Sequence, residues 1–174
     1  SGVITTLKDQ EESKNYDLTT GLAMRNLGEQ LIDSAMHKTD GCLAFLDMDN
    51  LKKINDIYGH KAGDKALQKL GKLLLEYKSD GIACRMGGDE FLLYLPNMNS
   101  KQASEIMTDI FSRFHELTQK EVDIHFAALS AGLCMCQKND AFASCYNRAD
   151  KALYEVKQNG KNSFVFYHEM NFET

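Results

Sequence analysis

The sequence predicts an α+β domain built on a mixed β-sheet. Short apolar runs alternate with longer amphipathic segments, and one pair of runs is joined by a tight turn. A hairpin set among crossover connections does not fit a purely parallel sheet. The length of 174 residues, with 43% apolar and 26% charged, suits one packed domain. The predicted order is helix, strand, helix, hairpin, helix, strand, helix and strand.

Four amphipathic segments predict the helices, because their apolar residues recur at three- and four-residue spacing. Their stripes run over residues 27–36, 66–77, 103–117 and 141–156. Gly63 and Asp64 are expected to help start the second helix. Gly160 is expected to cap the last one.

Five short apolar runs predict the strands. They span residues 41–46, 82–85, 91–95, 122–136 and 164–167. Residues 86–90 contain two glycines between the second and third runs, which predicts a hairpin turn. Gly132, inside the fourth run, is expected to mark a β-bulge.

The composition argues against several classes of protein. The net charge of −5 leaves no global basic surface, so a nucleic-acid partner is not expected. No run reaches the ~18 apolar residues of a membrane span, and the start lacks the pattern of a signal peptide. Residues 1–16 are polar and predict a linker or the end of an upstream signalling helix, which leaves 17–174 as the domain. We expect a cytoplasmic location, with no membrane contact by this part of the chain.

The five cysteines predict small buried side chains in a reducing compartment. Their number is odd, and none forms a Cys-x-x-Cys pair. Cys134 and Cys136 can share one face of a strand. Two thiolates alone, however, make a poor zinc site.

Two acidic pairs stand where strands end. Asp47 and Asp49 close a buried apolar run, and Asp89 and Glu90 lie in the glycine-containing turn. Carboxylates brought close together resist ionising, and a divalent cation removes that conflict. Oxygen ligands select Mg²⁺ or Mn²⁺, and Mg²⁺ usually completes its shell with water and substrate phosphates. The pairs therefore predict a phosphate-bearing substrate, against the plainer interpretation of solvated acids in turns.

Other residues are consistent with such a site. Gly87 and Gly88 would let the backbone approach the substrate closely. Lys157 and Lys161 flank the end of the last helix and could hold distal phosphates, or they could simply complement the helix C-terminus. Two cations would suit in-line attack on phosphorus.

Five blocks resemble, in order, the motifs of the GGDEF family of diguanylate cyclases. The name-giving motif is Gly-Gly-Asp-Glu-Phe at residues 87–91, preceded by Arg85. The other blocks are residues 17–25, 47–56, 58–64 and 149–162. The combination covers nearly the whole chain and is far more specific than any one block. The resemblance implies a mainly antiparallel sheet of the nucleotidyl-cyclase or polymerase-palm type, carrying the GGDEF hairpin.

The resemblance also implies the reaction and its metal. The family condenses two GTP into cyclic di-GMP, with Mg²⁺ or Mn²⁺, two per active site. The implied metal ligands are Asp47, the Met48 carbonyl, Asp89 and Glu90. Asp89 would accept the proton of the 3′-hydroxyl, with Glu90 as the alternative base. Lys52 would stabilise charge on the phosphates.

The remaining implied residues bind the substrate. Asn55 and Asp64 would recognise guanine, with His60 in the same wall. Lys157 and Lys161 would hold the β and γ phosphates. The family's product-inhibition motif, Arg-x-x-Asp, is replaced at residues 78–81 by Lys-Ser-Asp-Gly, which predicts no feedback inhibition through that site.

Assembly follows from the product, which contains two equivalent GMP units. Two domains must face each other, so the resemblance implies a homodimer for catalysis, with one GTP per domain and control by an upstream sensory domain. The alternative is a non-catalytic module that binds GTP or cyclic di-GMP.

Overall fold

A six-stranded sheet carries helices on both faces. The computed structural model describes residues 14–77 and 81–168. Within these ranges the strands are β1 (Ala23–Met24), β2 (Gly41–Asp49), β3 (Ile82–Gly87), β4 (Glu90–Pro96), β5 (Ala128–Cys136) and β6 (Phe164–Phe166). The helices are α1 (Arg25–Met36), α2 (Leu51–Tyr58), α3 (His60–Leu75), α4 (Ser100–Gln119) and α5 (Phe142–Gln158).

The sheet is mixed and mainly antiparallel, in the order β1-β3-β4-β2-β5-β6. β2 lies between β4 and β5 and is antiparallel to both, and β3 and β4 form the predicted hairpin. Only the outer pairs, β1 with β3 and β5 with β6, are parallel. The predicted α+β class is confirmed. The five predicted strands are present, and β1 adds a sixth that is too short to show a pattern.

The central strand β2 is buried along all nine residues. Its even-numbered side chains, from Cys42 to Met48, pack in a core with α3 and α4. Leu43 and Phe45 face the opposite core, together with α1 and α5. Side chains alternate along a strand, so Asp47 and Asp49 continue this second face towards α5. Burial on both faces explains the uninterrupted apolar run in the sequence.

Two predictions about β5 need correction. The strand predicted from residue 122 begins at Ala128, and residues 122–126 form turns. Gly132 is not a bulge, because it pairs in regular register with Phe45. A Cβ there would lie 2.2 Å from the Ala149 carbonyl oxygen, so the glycine lets α5 approach the sheet.

The helix ends follow the predicted chemistry only in part. α3 begins at His60, three residues before Gly63, so Gly63 and Asp64 lie inside the helix rather than at its start. Gly160 caps α5 as predicted, with a φ of 103°. The Lys161 amide beyond it donates to the Val156 carbonyl over 3.0 Å, which is the bond of a Schellman motif.

Two predictions fall largely outside the described residues. The linker is predicted over residues 1–16, of which residues 1–13 lie outside the described ranges. Residues 78–80 of the inhibition motif also lie outside them. α2, which follows the first acidic pair, is an element that the sequence pattern did not separate from its neighbours. None of the described helices is long and apolar enough to cross a membrane.

Candidate active site

The end of β2 and the β3–β4 turn lie side by side. Asp47 is paired in register with Glu90, and the Met48 amide donates to the Asp89 carbonyl over 2.9 Å. Asp47 and Asp89 line one cavity of about 690 Å³. The two acidic pairs singled out in the sequence are therefore brought together.

Asp47 is a buried acid of this cavity. It is only 6% exposed, and it forms an ion pair with Lys157 from the end of α5. Burial raises the pKa of Asp47 to about 6; the hydrogen bond from Lys157 opposes this, and the charge of Asp89 adds to it. Its Oδ1 atom accepts no hydrogen bond from any described residue. A buried carboxylate oxygen without a donor, beside a second carboxylate, suits a hard cation.

Asp49 differs from Asp47 although both project from the same face of β2. The Ser130 hydroxyl lies 2.9 and 2.7 Å from its two carboxylate oxygens. The Asn162 amide donates to it over 3.2 Å. Asp49 therefore anchors β5 and the segment after α5 to the end of β2, and its lone pairs are largely occupied.

Four lysines line the cavity together with the acids, and Lys53 of α2 is one of them. Lys52 comes from α2, Lys157 from the last turn of α5, and Lys161 from the loop after it. Burial opposes charge on Lys157, but the carboxylate of Asp47 outweighs it and raises the pKa of this ammonium. The predicted site residues that line the cavity are Asp47, Met48, Lys52, Asp89, Lys157 and Lys161. A pocket lined by both acids and cations can hold a metal–phosphate group.

Four other predicted residues are not among the described residues that line this cavity. Glu90 follows Asp89 on β4, is half-buried, and its charge helps to raise the Lys157 pKa. Asn55 lies on α2 with its side chain against Gly63 of α3. His60 and Asp64 are exposed on α3. The proposed guanine wall thus lies on the helix pair beside the cavity.

A brace behind the hairpin turn was missed by the sequence analysis. The Arg85 guanidinium donates to the Gly88 carbonyl through Nε (3.2 Å) and Nη2 (2.6 Å). Its Nη1 donates to the Asp17 carboxylate over 2.9 Å. Asp17 begins one motif block and Arg85 precedes another, but their separation of 68 positions gave no sign of contact. This arrangement holds the turn that presents Asp89.

Asp17 is fixed in turn by its own loop. The backbone amide and the hydroxyl of Thr20 donate to Asp17 Oδ2 over 2.9 and 2.7 Å. Partial burial disfavours the charge, but these bonds and Arg85 outweigh it and lower the pKa of Asp17. The carboxylate stays ionised as the partner of Arg85.

The segment between β2 and α2 also shapes the cavity. Asn50 adopts a left-handed conformation with a φ of 69°, which asparagine tolerates better than most residues. Its Nδ2 donates to the Phe126 carbonyl over 2.8 Å. The Lys53 ammonium lies 4.1 Å from the Phe126 ring centroid. Asn50 directly after Asp49 was the available signal for this tight turn.

The comparison with known families agrees with this geometry. The sequence profile described as "Diguanylate cyclase, GGDEF domain" matches residues 14–163, and the chain belongs to the GGDEF family. A diguanylate cyclase of Vibrio cholerae is 38% identical over 126 residues, covering 71% of this chain and 39% of that protein. Diguanylate cyclase DgcZ of Escherichia coli is 31% identical over 163 residues, covering 90% of this chain and 55% of that protein.

A relative of different name is similar as well. Cyclic di-GMP phosphodiesterase PdeR of Escherichia coli is 32% identical over 163 residues, covering 90% of this chain and 25% of that protein. The chain thus spans between a quarter and about half the length of these relatives.

Solved structures share the fold. The active GGEEF domain of a diguanylate cyclase from Vibrio cholerae superposes with a TM-score of 0.77 at 31% identity, covering 85% of this chain and 99% of that one. The coiled coil and GGDEF domain of DgcB from Caulobacter crescentus, in complex with c-di-GMP, gives a TM-score of 0.84. At 24% identity, over 94% of this chain and 91% of that one, DgcB shows the fold alone.

Proposed function

We propose that this domain is a diguanylate cyclase, which condenses two GTP into cyclic di-GMP and two pyrophosphates as a homodimer with one GTP per domain. The observation that carries the proposal is the convergence of Asp47 and Asp89 on one cavity that Lys52, Lys157 and Lys161 also line. Family membership and the named cyclases among the relatives support the same reaction.

The acidic residues fit a divalent cation. Asp47 offers an oxygen that lacks a donor among the described residues, and Asp89 lies beside it. We propose that Asp47, the Met48 carbonyl, Asp89 and Glu90 hold Mg²⁺ or Mn²⁺, two ions per site. When bound, the metal would polarise the phosphate oxygens and offset the charge of the leaving pyrophosphate.

The protein groups then supply proton transfer and charge. The 3′-oxygen of one GTP forms a bond to the α-phosphorus of the other, and the bond from that phosphorus to pyrophosphate breaks. Asp89 takes the 3′-hydroxyl proton, with Glu90 as the alternative base. Lys52 stabilises the charge that develops on the phosphates. Lys157 exchanges its contact with Asp47 for the β and γ phosphates, which Lys161 also holds.

Guanine recognition is assigned to the helix pair beside the cavity. The carboxylate of Asp64 can accept hydrogen bonds from guanine N1–H and the 2-amino group, which adenine lacks. Asn55 reads the base edge from α2, and His60 completes the wall. When a bound base shields Asp64 from water, adenine would leave its carboxylate unpaired at a cost of ~1–3 kcal/mol, which is about tenfold or more against ATP.

The product requires two domains. Its two phosphodiester links are equivalent, so each domain must present its GTP to the other in an isologous dimer. We propose that an upstream sensory domain controls this pairing and that the reaction takes place in the cytoplasm, where GTP is supplied.

The test is turnover by a forced dimer. The domain is fused to a leucine zipper and incubated with GTP and Mg²⁺, and products are identified by mass spectrometry. We expect cyclic di-GMP and pyrophosphate, lost in Asp89→Ala and kept in Asp33→Asn, a change at an exposed acid of α1 whose side chain is 52% exposed. A folded zipper dimer that releases no pyrophosphate overturns the proposal.

A non-catalytic module that binds GTP or cyclic di-GMP is the second candidate. The similarity to PdeR, which is named as a phosphodiesterase, favours this candidate. The ion pair between Lys157 and Asp47 also favours it, because the lysine takes up the carboxylate that a metal would need. Nucleotide binding by the zipper dimer, without turnover and with Asp89→Ala unaffected, would identify it.

A further inference from the structure

A cluster of three thiols lies on the α5 side of the sheet, apart from the acidic cavity. Cys134 and Cys136 share one face of β5, and Cys145 reaches them from the first half of α5. All three are buried, and their sulfur atoms lie within 4.8 Å of one another. The sequence placed only the first two together. Packing of the helix on the strand adds the third.

We propose that Cys134, Cys136 and Cys145 form a binding site for a thiophilic divalent cation, with Zn²⁺ as the expected occupant. Zinc–sulfur bonds of about 2.3 Å in a tetrahedron place the sulfurs about 3.8 Å apart. The observed spacing is close enough that small side-chain rotations would bring the three sulfurs onto one ion. Three cysteines plus one further ligand is a known composition of zinc sites.

A fourth ligand is within reach. The Asp140 carboxylate oxygen Oδ2 lies 4.0 Å from Cys145 Sγ. Asp140 belongs to the turn before α5, where the same oxygen accepts a hydrogen bond from the Gln137 amide over 2.8 Å. Metal ligands of this kind are usually held by such bonds. Asp140 does not lie within 4.8 Å of all three sulfurs, so its side chain would have to turn towards Cys134 and Cys136 to act as the fourth ligand.

The surroundings act differently on the three thiols. Hydrogen bonds from the Cys136 and Cys145 thiols lower the pKa of Cys134, and the positive charge of Arg148 acts in the same direction. The same contacts, with burial, raise the pKa of Cys136. The pKa of Cys145 is raised as well, by contact with Cys134, so Cys136 and Cys145 would both have to lose their protons when a metal binds. A divalent cation would displace those protons, and Arg148 would offset the excess negative charge of three thiolates.

An ion has a path to this cluster. Cys134 and Arg148 line a cavity of about 820 Å³ that opens between α4 and the segment after β6. Its other walls include Lys101, Phe166 and His168. Since the thiols themselves are buried, this opening is the route by which solvent ions would reach Cys134.

Occupation of the site would tie α5 to β5. That helix carries Lys157 at its other end, where the lysine meets Asp47. A bound metal would therefore brace the helix that supplies a phosphate-binding group. The inference does not depend on the proposed reaction, because it concerns binding at residues outside the acidic cavity.

The test uses Co²⁺ as a spectroscopic substitute, added to the fully reduced protein. We expect one Co²⁺ per chain with a sulfur-to-cobalt charge-transfer band, displaced by Zn²⁺. Binding at the acidic cavity involves oxygen ligands only and would give no such band. Cys145→Ala should abolish the band, while Cys84→Ala, the same truncation at a buried cysteine of β3, should leave it intact.

A second measurement keeps the proposal testable if Cys145→Ala does not fold. X-ray absorption of the zinc-loaded wild-type protein should show sulfur neighbours at about 2.3 Å. A coordination shell of nitrogen and oxygen only would overturn the proposal. So would a wild-type protein without a charge-transfer band in excess Co²⁺, or a band that survives in Cys145→Ala. The three thiols would then be a packing cluster.

Discussion

The side-chain oxygen of Asn55 occupies the space that a Cβ atom of residue 63 would need. A Cβ built on Gly63 would lie 1.8 Å from Asn55 Oδ1, far inside contact distance. That oxygen has no hydrogen-bond partner among the residues that the structure describes. The Asn55 side chain can therefore lie between α2 and α3 in this position only because residue 63 is glycine.

This relationship predicts a loss of substrate affinity in Gly63→Ala. The obstructing atom is the end of a flexible side chain, so Asn55 should move while the helices stay in place. We expect the KM for GTP to rise about tenfold, equivalent to ~1.4 kcal/mol, with a smaller loss of stability. Steady-state kinetics on the zipper dimer and urea denaturation measure the two effects.

A double mutant provides the control for Gly63→Ala. If the alanine acts through Asn55, adding it to Asn55→Ala should raise KM no further. Additive effects of the two changes would show that Gly63 acts on the substrate by another route.

Asp47→Asn should abolish turnover and at the same time make the domain more stable. Asp49 has its hydrogen bonds supplied by Ser130 and Asn162, whereas Asp47 is buried with one oxygen unpaired in the described structure. Removing the charge of Asp47 should abolish turnover. In metal-free buffer at pH 7 it should also stabilise the domain by up to about 3 kcal/mol, from roughly two pKa units. A less stable variant in urea denaturation would contradict this account of Asp47.

The destabilising effect of the ionised Asp47 carboxylate should depend on pH. The pKa of Asp47 is about 6 in the folded chain and 3.8 is its ordinary value, so the native state holds this proton more tightly. Stability contributed by Asp47 is therefore present at about pH 4 and lost as the pH rises through 6. We expect the difference in unfolding free energy between wild type and Asp47→Asn to be small at pH 4 and largest at pH 7. Urea titrations in EDTA at both values measure it.

Local patterns predicted most of the fold. The stripe over residues 103–117 became α4, and the turn between Arg85 and Phe91 became the hairpin, because each depends on neighbours along the chain. The failures involved distant partners. Gly132 suggested a bulge, but its role is set by the backbone of α5, which lies close only in the folded chain.

In the candidate site, too, local features could be predicted from the sequence and contacts between distant residues could not. Residues within one block, such as Asp47 and Met48, could be placed from their position at a strand end. The brace between Asp17 and Arg85 could not, because nothing local indicates which of many acids and bases will meet. The thiol of Cys145 likewise joins Cys134 only through packing of α5 on the sheet.

Arg85→Lys should slow turnover while leaving GTP binding nearly unchanged. Lysine has no planar fork, so it cannot hold the Asp17 carboxylate and the Gly88 carbonyl together. The turn that presents Asp89 would lose its support, and we expect kcat to fall about tenfold, equivalent to ~1.4 kcal/mol. Arg113→Lys is the matched control, since Arg113 pairs with Glu76 and Asp109 on the surface. Equal kinetics for the two variants would exclude a role of the brace.

Cyclic di-GMP should not act as a noncompetitive inhibitor of this domain. The inhibitory motif needs Arg and Asp at positions that here hold Lys78 and Gly81. A Cβ on Gly81 would lie 2.4 Å from the Tyr94 carbonyl oxygen, so the backbone at this point is adapted to glycine and excludes a carboxylate side chain. Initial rates of the zipper dimer, measured with increasing cyclic di-GMP at several GTP concentrations, should show competition at most. A fall in the maximal rate that excess GTP does not restore would demonstrate an inhibitory site built from other residues.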